Sequence, residues 1–151
     1  MRRLLVRSLL VAGLAAASLG TAQAVQLSAE CKSPQGTFFH VPAGKSEPVQ
    51  KKAGYKNSTW TLVWDSARPE QGIIRHTSTD AGEPPGEQLA DVIDGRPALI
   101  TFLVPDGPEI MVYSLYPTKG LLLASLHGPS NATADATGGT FTARCKVSNS
   151  R

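Results

Sequence analysis

Residues Thr59 to Asp65 read Thr-Trp-Thr-Leu-Val-Trp-Asp, and this near-strict alternation is the feature that most narrows the fold. Trp60, Leu62 and Trp64 share one face, while Thr59, Thr61 and Asp65 share the other. Period-two alternation of aromatic and β-branched residues is the signature of a strand with one buried face. The same pattern returns near the C-terminus. In Gly139 to Val147, Phe141, Ala143 and Cys145 alternate with Thr140, Thr142, Arg144 and Lys146. Between these segments the chain is cut into short apolar runs by Gly, Pro and Asp clusters, and no stretch after residue 24 carries a helical period. Glycine and proline at such spacing punctuate strands rather than helices.

The expected elements follow from that punctuation. Residues 25–35 read as irregular, with Cys31 and Pro34 inside them, and a first short strand is expected at Gly36 to Val41. Residues 42–58 read as a long polar loop. Further strands are expected at Thr59–Asp65, Ile73–Ser78, Ala98–Val104, Glu109–Tyr116, Leu121–His127 and Gly139–Val147. Gln88 to Ile93 fits either a strand or one helical turn, and Asp94-Gly95 after it is a hairpin-turn signal. Loops are expected at 79–87 and 128–138. The fold class is therefore all-β: a small antiparallel meander of seven or eight strands. Simple hairpin connections favour a closed barrel of lipocalin-like size, with a two-sheet sandwich as the alternative.

The N-terminus has a different character. Arg2, Arg3 and Arg7 flank an apolar run from Leu9 to Leu19, and Ala22-Gln23-Ala24 supplies the small-x-small pattern that signal peptidase accepts. The run is about half of the ~20 residues a membrane-spanning helix needs. Residues 1–24 are expected to be a cleaved signal peptide, and 25–151 a single β domain. Position 25 is Val rather than Cys, so no lipoprotein anchor is expected, and no membrane anchor after cleavage. The expected location is exported, either periplasmic or secreted. Cleavage also changes the charge. Of the 15 basic residues, 3 lie in the signal, and the remaining 12 balance 12 acidic ones. A mature domain of zero formal charge has no electrostatic bias toward nucleic acid or anionic lipid. Lys51, Lys52 and Lys56 form only a small cluster in a polar loop.

Two cysteines lie near the ends of the mature chain, and an oxidising compartment leaves one intramolecular pairing. A Cys31–Cys145 disulfide is expected, with Cys145 inward on the last strand and Cys31 just before the first strand.

Chemistry-bearing constellations are sparse. His40, His76 and His127 fall on separate expected strands without a metal-ligand spacing. His76, Ser78 and Asp80 are close in sequence, but His76 and Ser78 are about 7 Å apart along a strand, too far for a direct hydrogen bond. No G-x-S-x-G is present, and Ser114 and Ser125 read as ordinary sheet residues. Asp80, Glu83, Glu87, Asp91 and Asp94 form an acidic stretch, but lack calcium-loop spacing. No residue is assigned a catalytic or metal-binding role, and no cofactor is expected. Trp60 and Trp64 read as core; with Tyr55 nearby, a stacking platform for a sugar or peptide is the alternative. Asn57 and Asn131 each head an N-x-Ser/Thr sequon.

In size, export signal and β content the chain is similar to small exported β-barrels, bacterial periplasmic lysozyme inhibitors among them. That resemblance covers no individual residue. Two functions follow as expectations. One is a non-enzymatic binding or inhibitor module of the envelope or secretome, meeting a protein or small-molecule ligand through loops 42–58, 79–87 and 128–138. The other is a small secreted hydrolase whose residues converge only in the fold.

Overall fold

In the computed structural model, which describes residues 24–79, 84–129 and 134–150, backbone pairing runs in one unbroken ring. The strands are β1 (Gln26–Pro42), β2 (Val49–Gly54), β3 (Ser58–Asp65), β4 (Gln71–Ser78), β5 (Gly86–Arg96), β6 (Leu99–Asp106), β7 (Glu109–Tyr116), β8 (Leu121–Gly128) and β9 (Ala134–Ser150). From β3 to β9 each strand pairs antiparallel with the next, and β9 pairs with β1 while β1 pairs with β3. Eight strands thus close a barrel, and β2 is added along the outer half of β1. Closure decides between barrel and sandwich. It removes the free edges that an open sheet would expose.

The long β1 departs from expectation. Residues 26–32 pair with β3 and residues 35–40 pair with β2, so one strand edge serves two partners in succession. The change falls at a bulge over Lys32 to Gln35. There Ser33 adopts φ 49°, its hydroxyl donates to the Lys56 carbonyl at 2.5 Å, and the Tyr55 N–H donates to the Pro34 carbonyl at 2.8 Å. The segment expected to be irregular is therefore strand with one bulge, and Cys31 sits within β1 rather than ahead of it. The expected loop 42–58 contains β2, and the expected loop 128–138 gives way to β9 at Ala134.

Gln88 to Ile93 belongs to a strand, β5. The expected turn at Asp94-Gly95 lies inside that strand, and the chain reverses instead at Pro97-Ala98, between paired Arg96 and Leu99. Gly95 is not at positive φ. A Cβ there would meet Trp64 at 3.4 Å, an ordinary van der Waals contact, so the position does not demand glycine.

The barrel interior follows the register. Leu27, Trp64, Gly72 and Ala90 form one row, and Ala29, Leu62 and Ile74 the next. Phe102, Tyr113, Ala124 and Phe141 form a row on the far wall, and Ile100, Leu115, Leu122 and Ala143 another. All of these side chains are buried, as expected for a barrel of about eight strands, which is just wide enough for side chains to fill.

Alternating strand direction sorts the connections by end. The 66–70, 97–98 and 117–120 connections lie at one end and are short. The 43–48, 55–57, 79–85, 107–108 and 129–133 connections all leave from the other. The three segments expected to carry binding thus start from the same barrel mouth. No helix among the described residues is long and apolar enough to cross a membrane.

Candidate functional site at the barrel mouth

The mouth is not filled by the core. A cavity of about 270 Å³ opens there, between the ends of β3, β4, β5 and the β6–β7 hairpin. Its floor is aromatic. Trp60 and His76 are direct cross-strand partners on β3 and β4, with ring centroids 5.5 Å apart. Tyr113 reaches the same place from β7 and meets Trp60 edge-on at 5.5 Å and 81°. Tyr55 closes one side, 5.3 Å from Trp60, and Phe141 supports the cluster from below at 5.9 Å. Such edge-to-face contacts are preferred over face-to-face stacking because they set positive ring edges against negative ring faces.

One hydrogen bond links the polar groups of the floor. Tyr113 Oη and His76 Nε2 are 3.1 Å apart. Burial pushes the Tyr113 phenol well above the usual tyrosine range, helped by Tyr55 and Asp106. Burial also lowers His76, against an opposing pull from the Asp106 carboxylate. Each effect favours the uncharged form, so the contact joins a neutral phenol to a neutral imidazole, with the donor set by the imidazole tautomer. A phenol held this firmly protonated is a poor nucleophile. The pair can orient a ligand; it is not built as a nucleophile and its base.

The rim is acidic. Asp106 and Glu109 are paired in register across a two-residue turn, Gly107-Pro108, with Gly107 at φ 59°. Glycine at the first central position suits the hairpin turns that match strand twist. Both carboxylates line the cavity, with Ser58, Gln88 and Met111 beside them.

Most residues singled out from sequence lie elsewhere. His40 pairs with Val49 and Thr137 on the β1–β2 extension, and His127 is exposed on β8 opposite Ile110. The three histidines do not meet, and among the described residues no group of His, Cys, Asp or Glu could hold a metal ion. Glu87 forms an exposed ion pair with Arg75 at 2.6 Å, and Asp94 is held by Arg96. Asp91 is exposed on β5. Ser114 lies 3.5 Å from the Thr101 hydroxyl, and Ser125 is an ordinary position on β8. Lys51 and Lys52 are exposed on β2, and Asn57 sits in the β2–β3 turn. Asp80, Glu83 and Asn131 fall outside the described residues, as do residues 1–23.

Trp60 is both core and cavity floor, whereas Trp64 is core alone, its indole N–H donating to the Pro69 carbonyl at 3.1 Å. Tyr113, Asp106 and Glu109 carried no sequence signal beyond strand and turn composition. No family model matches the chain, and no curated protein or solved structure shows significant similarity to it.

Proposed function

We propose that this protein is an exported, non-enzymatic binding module that takes a small ligand into its barrel mouth. The observation that carries the reading is the open aromatic cavity of about 270 Å³ at the end from which the 43–48, 79–85 and 129–133 connections start. The volume lies just below the range of about 300–1,000 Å³ typical of drug-sized ligand sites, which favours a small molecule. Rigid strands hold Trp60, His76 and Tyr113 in place, so the floor is organised before a ligand arrives and little ordering cost falls on binding. Export is supported by the signal-like N-terminus and by the Cys31–Cys145 disulfide, which suits a secreted or periplasmic setting. The hydrolase alternative has less to rest on, because the perturbed groups of the floor are partnered as a neutral hydrogen-bonded pair.

The test is native mass spectrometry of the mature protein after incubation with a small-molecule extract of the producing cells and their medium. Low-mass adducts are expected on the wild type and not on Gln88→Trp, which places a bulky ring against the cavity. Adducts retained equally by both proteins would reject the mouth as the binding site. Turnover of an extract component by the wild type would reject the non-enzymatic reading.

A further inference from the structure

The cavity joins two features that rarely serve one purpose unless the ligand is positively charged. Its floor presents aromatic rings, from Trp60, Tyr113 and Tyr55. Its rim presents Asp106 and Glu109, directly opposite one another across a tight hairpin. Like charges placed opposite each other on adjacent strands are destabilising. Among the described residues neither carboxylate has a salt-bridge partner, and no lysine or arginine lines the cavity. The one basic side chain in the wall, His76, is held toward its neutral form by burial. The bottom of the cavity thus offers ring quadrupoles and its opening offers negative charge, with nothing positive between.

We propose that the barrel mouth binds a small organic cation of the alkylammonium class, its charged head against the Trp60 and Tyr55 rings and its charge balanced by Asp106 and Glu109. This rests on the mouth being a ligand site, and it names the chemistry of that ligand. An ammonium over an aromatic face is attracted by the ring quadrupole, and the attraction strengthens where water is excluded. The paired carboxylates supply the complementary charge, and the bound cation relieves their mutual repulsion. A neutral ligand of the same shape would gain the packing but neither electrostatic contribution.

The experiment titrates choline and its neutral tert-butyl isostere into the mature protein and follows the indole N–H signals in a proton–nitrogen NMR correlation spectrum. The chain has two tryptophans, so Trp64, toward the opposite end of the barrel, is an internal reference for Trp60. Choline is expected to shift the Trp60 signal saturably while leaving Trp64 in place. The isostere should bind about tenfold more weakly, which corresponds to the loss of about 1.4 kcal/mol. Asp106→Asn and Glu109→Gln should each weaken choline binding severalfold without lowering the melting temperature, and Asp91→Asn, remote from the mouth, should not weaken it. Equal binding of the isostere would overturn the cation while leaving the mouth as a ligand site. Failure of choline to move Trp60, alongside adducts by mass spectrometry, would do the same. Failure of choline with no adducts at all would remove both readings.

Discussion

Cys31 on β1 and Cys145 on β9 stand directly opposite each other, with Cα atoms 4.0 Å apart, on the strand pair that closes the barrel. The bond therefore secures the junction between the first and last strands. It spans 114 residues of sequence, and a loop of that order corresponds to about 4–5 kcal/mol in the chain-entropy view of disulfides. Replacing both cysteines with alanine is expected to lower the unfolding free energy by about 2–5 kcal/mol. Denaturant unfolding of the oxidised protein and the double variant checks this. An unchanged midpoint would mean that β1–β9 hydrogen bonding alone secures the closure.

Trp60 and Trp64 share an interior face but sit at opposite ends of it. Trp64→Ala leaves a void in the core and removes the hydrogen bond to the Pro69 carbonyl, so a loss of about 3–5 kcal/mol is expected. Ligand binding by the surviving folded fraction should be unaltered. Trp60→Phe should cost less stability and yet weaken binding, because the larger indole forms the cavity floor. Thermal melts paired with ligand titrations separate the two; a binding loss confined to the Trp64 variant would contradict the assignment.

Gly36 is required by the close approach of β1 and β9. A Cβ at this position would run into the Thr140 carbonyl and the Phe141 backbone, neither of which can rotate aside. Gly36→Ala is expected to destabilise by about 1–3 kcal/mol or more. Gly54→Ala provides the contrast. Its Cβ would find its nearest neighbour at 3.6 Å, and its φ is not positive, so a change within about 0.5 kcal/mol is expected. Equal effects at the two positions, measured by chemical denaturation, would show that steric approach is not what selects glycine at 36.

His76 makes stability depend on pH. Burial lowers its pKa in the folded state below the value of 6.5 for a free side chain, with Asp106 opposing the shift. Between the two pKa values the unfolded chain binds more protons than the folded one, so stability rises with pH there. The His76 contribution is fully present above about pH 6.5 and is lost as pH falls from there through the folded-state pKa. His76→Gln should flatten this part of the stability profile. Asp106→Asn should steepen it, because the carboxylate that favours the protonated ring is gone. Unfolding curves at a series of pH values, read as differences between variants, isolate the histidine from the other titrating groups. Identical slopes in wild type and His76→Gln would refute the assignment.

Alternation was strong where side chains are large. Trp60, Leu62 and Trp64 declared β3, and Phe141 with Cys145 declared the inner face of β9, because local sequence alone sets which residues share a face. The disulfide pairing needed only the count of two cysteines and the expectation of an oxidising compartment. The first half of β1 also alternates, with Leu27, Ala29 and Cys31 inward, but alanine and cysteine give a faint signal and the Ser33-Pro34 bulge interrupts it. β2 has no pattern to find: Val49 to Lys52 are all exposed, and the segment is a strand because the β1 edge offers it hydrogen bonds. The candidate site is further still from local sequence. His76 and Tyr113 are 37 residues apart, and Asp106 and Glu109 read only as the flanks of a turn. Strand faces and cysteine pairing were properties of the sequence by itself, since each depends on neighbours in the chain or on a count. Barrel closure and the aromatic, acid-rimmed mouth were decided by the tertiary structure, because strand register and the direction in which each strand runs bring those side chains to one end.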